Sequence, residues 1–451
     1  MPQVSNLRLG KAPHGTPQSD AGRTVLVPIE KPIYGGSFLA RDEGKAVFVP
    51  LVLPGEQARV RVVQEKRSFA TAELEEVVSE SAERVIPKCP HFGPCGGCQY
   101  QHAEYETQLR IKQAVLRETL ERGGVKPSDE IAIVAGQPWE YRNRIRLAFD
   151  AHGNPGYRGR RSHAVVAINE CPISAPLLVR AALTAAELLL QSAHGLRPSE
   201  MALFCNADET ALLVSFFVAS GAKVHFDEFA AALQRRIPEL AGAELVIEGG
   251  QNQQPRMIAQ PRVIAQWGDL SLAYRAAGVD YRVDRGAFFQ VNRWLVDALV
   301  ERVTAGYSGP LAWDLFAGVG LFARRLAERF AQVIAVESAP TATDALTANL
   351  QGTSGVAVHS SALGFLRSDG TGERPGLVVV DPPRTGLGPD LTTAITEIAP
   401  PALVYVSCDP ATLARDLRVL LANGYSIDSM TLVDLFPQTF HLETVVRMRI
   451  P

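Results

Sequence analysis

The sequence has few cysteines and tryptophans, and it has no long uninterrupted hydrophobic run. Six cysteines among 451 residues are too few for a framework of disulfide bonds. Apolar stretches such as Ala181–Leu190 are too short to span a bilayer. The formal net charge of -3 gives no general attraction for nucleic acid, so such a role would depend on local basic patches.

Residues 1–20 are polar and rich in Gly, Pro and Ser, and they contain no signal peptide. We expect this segment to be disordered, and the protein to be a cytoplasmic monomer without membrane association. From Arg23 to about Glu80, short alternating apolar and polar segments are separated by glycine-containing turns. This pattern predicts a small OB-like β-barrel over residues 21–82.

Residues 291–451 alternate between helix and strand patterns, which predicts a doubly wound α/β domain of Rossmann-like type with a mainly parallel sheet. The predicted strands are Leu311–Phe316, Gln332–Glu337, Val356–His359, Gly376–Asp381, Ala402–Ser407, Ile427–Asp434 and Glu443–Arg449. Residues 83–290 form the expected central α+β domain, with a helix from about Glu104 to Arg122.

Basic residues concentrate at two places outside the C-terminal domain. Arg142, Arg144 and Arg146 alternate along one predicted strand, close to a second segment that runs from Tyr157 to Arg161. In the barrel, Lys66 and Arg67 lie beside Phe69. Guanidinium and ammonium groups next to aromatic rings suit single-stranded RNA. The alternatives are an arginine-rich edge strand for the first patch and a solvated surface for the second.

Four cysteines have the spacing of metal ligands: Cys89, Cys95, Cys98 and, much later, Cys171. Four thiolates can hold a zinc ion tetrahedrally or a 4Fe-4S cluster, and the spacing alone leaves both open. Cys205 lies in an apolar run and is most simply a core residue.

A glycine loop follows the first strand of the C-terminal domain. Gly318 and Gly320 let a ligand approach the backbone, and Glu337 at the end of the next strand can bind ribose hydroxyls. Asp314 before the loop favours the cationic S-adenosylmethionine over a nicotinamide cofactor, which the same loop could also bind. The stiff segment Asp381-Pro382-Pro383-Arg384 follows the fourth strand and would form a wall of that pocket.

Cys408 follows the fifth strand, where Asp409 and Pro410 predict a helix start. Helix N–H groups near the sulfur would favour a thiolate. Glu443 opens the last strand, where a carboxylate is costly unless it has a use. A thiolate that adds to C6 of uracil makes C5 nucleophilic, and a base must later remove the C5 proton. Cys408 and Glu443 suit these two tasks.

These motifs together resemble the RNA uracil-C5 methyltransferase family, in the branch with an N-terminal TRAM barrel and an iron–sulfur cluster. The resemblance also rests on Phe288-Phe289-Gln290-Val291-Asn292 and on His441-x-Glu443-Thr444. It implies that Cys408 is the nucleophile and Glu443 the base. It implies contacts to adenosylmethionine from Gln290, Phe316, Glu337 and Asp381, with a further contact near Ser360 or Ser361.

The resemblance also implies a structural 4Fe-4S cluster on the four spaced cysteines and an unstacked uridine of RNA as the target. The barrel and the cluster favour ribosomal RNA of the large subunit. Methylation of transfer RNA by the same chemistry and a non-catalytic RNA-binding protein remain alternatives.

Overall fold

The computed structural model describes residues 22–191, 196–219, 225–247, 262–368 and 373–450. The expected disorder of residues 1–20 lies outside these ranges. Within them, no helix is both long and apolar enough to cross a bilayer. The chain divides into two compact units, one of residues 1–33 and 37–82 and the other of residues 34–36 and 83–451.

The smaller unit is a closed five-stranded barrel in the order β1-β2-β3-β5-β4. Its strands are β1 (Thr24–Pro32), β2 (Ser37–Asp42), β3 (Lys45–Pro50), β4 (Gln57–Glu65) and β5 (Phe69–Ser79). Alternating residues such as Val60 and Val62 fill the interior and are fully buried. This closed barrel confirms the predicted fold of the segment.

The first part of the larger unit contains short strands and three helices among the described residues. They are α1 (Tyr105–Arg122), β6 (Ala132–Val134), β7 (Arg144–Phe149), β8 (Pro155–Arg158), β9 (Val165–Ala167), α2 (Pro176–Gln191), β10 (Glu200–Cys205), β11 (Leu212–Val218), α3 (Phe226–Arg236), β12 (Leu240–Ile247), β13 (Arg262–Gly268), β14 (Ser271–Ala276) and β15 (Val279–Asp284). A seven-stranded sheet has the order β13-β12-β11-β10-β7-β8-β9.

One face of this central sheet is apolar and packs against α2 and α3. Ile145, Leu203, Val214 and Leu245 belong to the core on this side, together with residues of both helices. Since side chains alternate along a strand, their neighbours in sequence lie on the opposite face. That opposite face carries Arg146, Ala202, Ser215 and Glu244 in one row of paired positions.

The C-terminal part is a doubly wound α/β domain, as predicted. Its elements are α4 (Val296–Thr304), β16 (Gly309–Asp314), α5 (Leu321–Leu326), β17 (Phe330–Glu337), α6 (Pro340–Leu350), β18 (Gly355–His359), α7 (Ala362–Arg367), β19 (Leu377–Val380), α8 (Gly388–Ile398), β20 (Ala402–Ser407), α9 (Pro410–Ala422), β21 (Ser426–Val433) and β22 (Thr444–Arg449). The eight-stranded sheet has the order β18-β17-β16-β19-β20-β22-β21-β6, and β22 runs antiparallel to both its neighbours.

The predicted boundary between residues 290 and 291 does not coincide with a boundary of packing. Strand β6 pairs with β21 and so extends the C-terminal sheet. Tyr274 and Tyr281 of the β14–β15 hairpin share a core with Leu299 of α4 and Phe322 of α5. The two segments, 83–290 and 291–451, therefore share a hydrophobic core. Their division into separate domains stays a prediction.

Candidate active site

Three strand ends place Asp381, Cys408 and Glu443 at one edge of the C-terminal sheet. Asp381 follows β19 and Cys408 follows β20, and these strands are parallel neighbours. Glu443 precedes β22, in which Thr444 pairs with Ser407 of β20. The pairing brings the thiol next to the Glu443 carboxyl, so the structure unites the nucleophile and the base suggested by the sequence.

The two carboxyl groups are crowded and poorly solvated. Glu443 is 5% exposed. Burial raises the pKa of Glu443 well above its usual value, and the nearby Asp381 raises it further. Burial also raises the pKa of Asp381 to about 7. Nε2 of Gln290 lies 3.4 Å from Oδ2 of Asp381 and donates to it. Burial and the mutual repulsion of the two groups thus favour a proton on this pair of carboxyl groups in the free protein.

The surroundings of Cys408 oppose the predicted thiolate in the free protein. Burial raises the pKa of the Cys408 thiol to about 12, and Glu443 and Asp381 raise it as well, while Arg384 lowers it. Asp409 caps α9 as predicted: its Oδ1 accepts hydrogen bonds from the N–H groups of Ala411 and Thr412 at 3.0 and 2.9 Å. The cap thus uses the helix N–H groups that were expected to stabilise the sulfur.

Arg384 lies near the thiol and contacts His441, and the sequence analysis gave neither side chain a part in the chemistry. Nη2 of Arg384 lies 3.5 Å from Nδ1 of His441. Burial, together with the positive charge of Arg384, lowers the pKa of His441 to about 4. His441 is therefore neutral. The signal in the sequence was the cation Arg384 directly after Asp381-Pro382-Pro383.

The glycine loop builds the candidate cofactor site. Gln290, Phe316, Gly318 and Asp381 line one cavity. Gly318 has φ of 54°, and a Cβ added there would meet nothing within 4 Å, so the backbone is open to a ligand. Its N–H donates to Oε2 of Glu337 at 2.9 Å, which ties that carboxylate to the loop. The structure thus brings together all five residues assigned to adenosylmethionine.

Asp314 behind this loop supports the fit to a cationic ligand. It is fully buried, and Oδ2 accepts a hydrogen bond from the N–H of Ala323 at 3.1 Å. Oδ1 has no hydrogen-bond partner among the described residues. Burial raises the pKa of Asp314 to about 7, with a further contribution from Asp381. A sulfonium nearby would favour the ionised carboxylate.

The expected contact near Ser360 or Ser361 stays unassigned. Oγ of Ser361 accepts a hydrogen bond from the N–H of Gly364 at 3.0 Å and caps α7. Oγ of Ser360 donates to the Ser361 carbonyl at 3.1 Å.

The four spaced cysteines line one cavity of about 240 Å³: Cys89, Cys95, Cys98 and Cys171. All four are free thiols. Burial raises the pKa of Cys98 to about 12, with a smaller contribution from the nearby Cys171. Among the described residues no three acidic, His or Cys side chains are close enough to hold a single metal ion. The zinc and the 4Fe-4S alternatives both stay predictions. Cys205 is fully buried in the core beside α2 and α3, as expected.

The basic residues assigned to RNA lie in two places. Arg144 and Arg146 lie on the face of the central sheet opposite α2 and α3, where their guanidinium groups cover the rings of Phe204 and Phe217 at 4.3 and 4.1 Å. Arg142 precedes β7 rather than lying on it, and it lines both the cavity on that face and the cysteine cavity.

In the barrel, Nζ of Lys66 lies 5.1 Å from the ring centroid of Phe69, and Arg67 is exposed. The neighbouring Arg59 and Arg61 instead pair with Glu76 and Glu73 on β5. The solvated-surface alternative therefore fits Arg59 and Arg61.

Comparison with known proteins identifies related RNA methyltransferases. Residues 374–449 match the family described as tRNA (uracil-5-)-methyltransferase, and residues 18–74 match the TRAM domain. The chain is similar to the 23S rRNA (uracil(1939)-C(5))-methyltransferase RlmD of Klebsiella pneumoniae, with 34% identity over 91% of this chain and 92% of the relative. It is also similar to an uncharacterized RNA methyltransferase of Nitratidesulfovibrio vulgaris, with 33% identity over 94% of this chain and 96% of the relative.

Among solved structures, the chain has the fold of the tRNA (uracil-54, C5)-methyltransferase of Pyrococcus abyssi, crystallised with S-adenosyl-L-homocysteine. The TM-score is 0.73 at 24% identity, over 94% of this chain and all of the other. Matches to both domain families and to relatives over nearly their whole length show that this chain belongs to the RNA uracil-C5 methyltransferase family, in the branch with an N-terminal TRAM domain.

Proposed function

We propose that this protein methylates C5 of an unstacked uridine in 23S ribosomal RNA, with S-adenosylmethionine as the methyl donor and Cys408 as a covalent nucleophile. The meeting of Cys408, Asp381 and Glu443 at one sheet edge, beside the glycine loop, carries the proposal. The relative in Klebsiella pneumoniae that acts on 23S rRNA supports ribosomal RNA as the substrate. Action in the cytoplasm as a monomer stays a prediction.

The cofactor supplies an electrophilic methyl group, and the residues of the chain supply the rest. Cys408 adds to C6 of the uracil, and the negative charge that develops on the ring makes C5 nucleophilic enough to accept that methyl group. Glu443, in its ionised form, then removes the C5 proton. The electrons of the broken C–H bond re-form the C5–C6 double bond and expel the Cys408 thiolate.

The raised pKa values of Cys408 and Glu443 place two requirements on these reaction steps. Cys408 must lose its proton before it adds, and Arg384 is the cation whose charge favours the thiolate. Glu443 must be ionised when the C5 proton leaves, although burial beside Asp381 favours its protonated form in the free protein. A cationic ligand against Asp314 and Asp381 would lower both carboxyl pKa values.

The covalent step has a direct test in RNA that carries 5-fluorouridine at the target position. Fluorine cannot leave as a cation, so the adduct persists after methyl transfer. Wild-type protein should form a complex that survives denaturing electrophoresis, whereas Cys408→Ala should form none. Cys205→Ala is the matched control, since that thiol lies in the core. Equal trapping by Cys408→Ala would overturn the role of the thiol.

We also propose that Cys89, Cys95, Cys98 and Cys171 hold a 4Fe-4S cluster with a structural role. Four free thiols around a cavity of about 240 Å³ support a ligand several ångströms wide. Their positions would join the segment before α1 to the segment before α2. Anaerobically purified protein should contain iron and acid-labile sulfide, and Cys98→Ser should lose both, while Cys205→Ala keeps them. Zinc in place of iron would contradict the cluster.

The arginines on the central sheet, Arg142, Arg144 and Arg146, and the barrel residues Lys66 and Arg67 are proposed RNA contacts. This proposal is supported by the contacts that the charged groups of Arg144, Arg146 and Lys66 make with aromatic rings. Mass mapping of methylated uridines in ribosomal and transfer RNA from a deletion strain would identify the target. Loss of the methyl group from transfer RNA alone would overturn the ribosomal assignment.

A further inference from the structure

A cavity of about 770 Å³ lies on the face of the central sheet opposite α2 and α3, and its lining includes neither Cys408 nor residues of the glycine loop. Ser215 and Phe217 of β11 and Glu244 of β12 contribute to it, together with Arg285, which follows β15. The volume lies within the range of about 300–1,000 Å³ that is typical of ligand pockets. Neither the proposed chemistry nor the cysteine cavity uses Glu244 or Arg285.

Arg285 is buried but has unused hydrogen-bond donors. Its side chain is 4% exposed. Nη1 donates to the carbonyl of Ala243 at 2.7 Å. Nε and Nη2 have no hydrogen-bond partner in the part of the chain that the structure describes, and the Oε2 atom of Glu244 is 3.8 Å from Nε. Buried donors without partners are unfavourable, so this guanidinium favours a ligand with acceptor atoms.

Glu244 supplies acceptors beside these donors. Its side chain is 9% exposed, and Oε1 accepts a hydrogen bond from Oγ of Ser215 at 2.6 Å. A carboxylate accepts up to about four hydrogen bonds, so capacity remains at both oxygens. Ala202 pairs with Ser215 in the same row of strand positions, and its small side chain leaves the floor of the cavity open. The floor thus presents a guanidinium and a carboxylate side by side.

Two guanidinium–ring pairs line the cavity. The Arg146 guanidinium covers the ring of Phe217 at 4.1 Å, and the Arg144 guanidinium covers the ring of Phe204 at 4.3 Å. Guanidinium planes and aromatic rings are the surfaces on which unpaired nucleobases stack. A flat aromatic ligand can stack on the walls. If its edge carries a hydrogen-bond acceptor next to donors, that edge matches Arg285 and Glu244 on the floor.

We infer that this cavity binds an unpaired guanine of the RNA substrate, separate from the target uridine. Glu244 accepts hydrogen bonds from N1–H and from the N2 amine of the base, and Arg285 donates to O6. Adenine and cytosine carry an amine but lack this adjacent N1–H and N2–H pair, and uracil offers a single N–H between two carbonyls. The inference rests on the proposed function, since it takes RNA as the substrate, and it adds a second base to what the protein recognises.

Fluorescence anisotropy of the full chain with labelled RNA pentanucleotides tests this selectivity. The probes are AAGAA, AAAAA and AACAA, together with AAGAA carrying inosine in place of guanosine. They contain no uridine, so the target pocket is not involved. We expect AAGAA to bind about tenfold more tightly than AAAAA or AACAA. Inosine lacks the N2 amine and should lose most of this advantage.

Glu244→Gln is the variant that tests the assignment to the carboxylate. An amide offers a single acceptor oxygen, so the variant should bind AAGAA and AAAAA with similar affinity. Glu187→Gln is the matched control, because Glu187 lies on α2 behind the other face of the sheet and pairs with Arg236 at 2.6 Å. That control should keep the full preference for guanine. The inosine comparison needs no variant, so it decides the matter even if Glu244→Gln fails to fold.

Two outcomes would overturn the inference: equal binding of the guanosine, adenosine and inosine probes by the wild type, or an unchanged preference in folded Glu244→Gln. Trapping on RNA with 5-fluorouridine is measured in parallel. If the protein is trapped on this RNA but shows no selectivity for guanine, only the inference about the cavity is wrong. Guanine selectivity without any trapping or methylation defeats the proposed function, while the assignment of the cavity stands.

Discussion

The Cys408 thiol is surrounded by groups that oppose its ionisation, and Arg384 is the cation that favours it. Burial, Glu443 and Asp381 all raise the pKa of the thiol, to about 12. These effects favour the protonated thiol in the free state. Reactivity then depends on ligands and on the local charge rather than on a permanently ionised sulfur.

Replacement of Arg384 by alanine should therefore slow adduct formation. Loss of the cation raises the pKa of Cys408, and the thiolate fraction falls about tenfold for each pH unit of that rise. The rate of trapping by RNA with 5-fluorouridine, measured from about pH 6 to pH 9, should increase with pH in the wild type. In Arg384→Ala the same increase should occur at higher pH.

Arg384→Lys should recover most of the rate, because it keeps the positive charge. Arg367→Ala removes an exposed arginine that lies 3.9 Å from Asp390, away from the thiol, and it should leave the profile unchanged. If Arg384→Ala has the profile of the wild type, the arginine has no electrostatic influence on Cys408.

Strand positions were predictable because burial on both faces gives a parallel strand an uninterrupted apolar sequence. Strand β20 begins and ends as predicted, and β16 ends two positions earlier than expected since the chain enters the glycine loop after Asp314. Strand β6 could not be assigned from sequence. It is short, and its partner β21 lies about three hundred positions later, so local pattern holds no information on the pairing.

The site was predictable for the same reason, but its electrostatics were not. Parallel strands place their carboxyl ends at one edge, and this rule brings Asp381 to Cys408. The sign of the pKa change at Cys408 depends on burial and on Glu443, whose strand runs in the opposite direction. The selective cavity on the central sheet was also missed, because Ser215, Glu244 and Arg285 come from elements that no local motif connects.

Helix α1 is joined to the end of β21 by a buried ion pair. Nζ of Lys112 lies 2.5 Å from Oδ1 of Asp434, and both side chains are 1% exposed. The Tyr105 hydroxyl donates to Oδ2 of the same carboxylate at 2.9 Å. Burial lowers the pKa of Lys112, while the pairing with Asp434 raises it. The pair fixes the helix to the sheet edge without contributing large net stability.

Removal of one partner should be far more damaging than removal of both. Lys112→Met leaves the Asp434 carboxylate buried without its cation and should reduce the free energy of unfolding by about 3–5 kcal/mol. Lys112→Met combined with Asp434→Leu should lose clearly less. Chemical denaturation of both variants and of Asp434→Leu measures the coupling. Additive losses would show that the pair is not coupled.

The molecule as a whole carries no excess of positive charge, so its affinity for RNA must come from a few places. The formal net charge is -3, from 45 basic and 48 acidic residues. Most arginines of the barrel hairpin are neutralised: Arg59 pairs with Glu76, and Arg61 pairs with Glu73. Lys66 and Arg67 at the tip of the β4–β5 hairpin are exposed. A basic residue attracts phosphate most strongly when no carboxylate accompanies it.

The double variant Lys66→Ala/Arg67→Ala should therefore weaken binding of ribosomal RNA fragments and reduce its salt dependence. Each lost phosphate contact lowers the slope of log K against log salt by about 0.7 for single strands, so a reduction of about 1.4 is expected. Arg59→Ala/Arg61→Ala removes the same formal charge from the same hairpin. It should change the slope much less, because each of these arginines already has a carboxylate partner. Equal slopes for the two double variants in filter binding across a salt series would mean that the tip of the hairpin does not contact the RNA backbone.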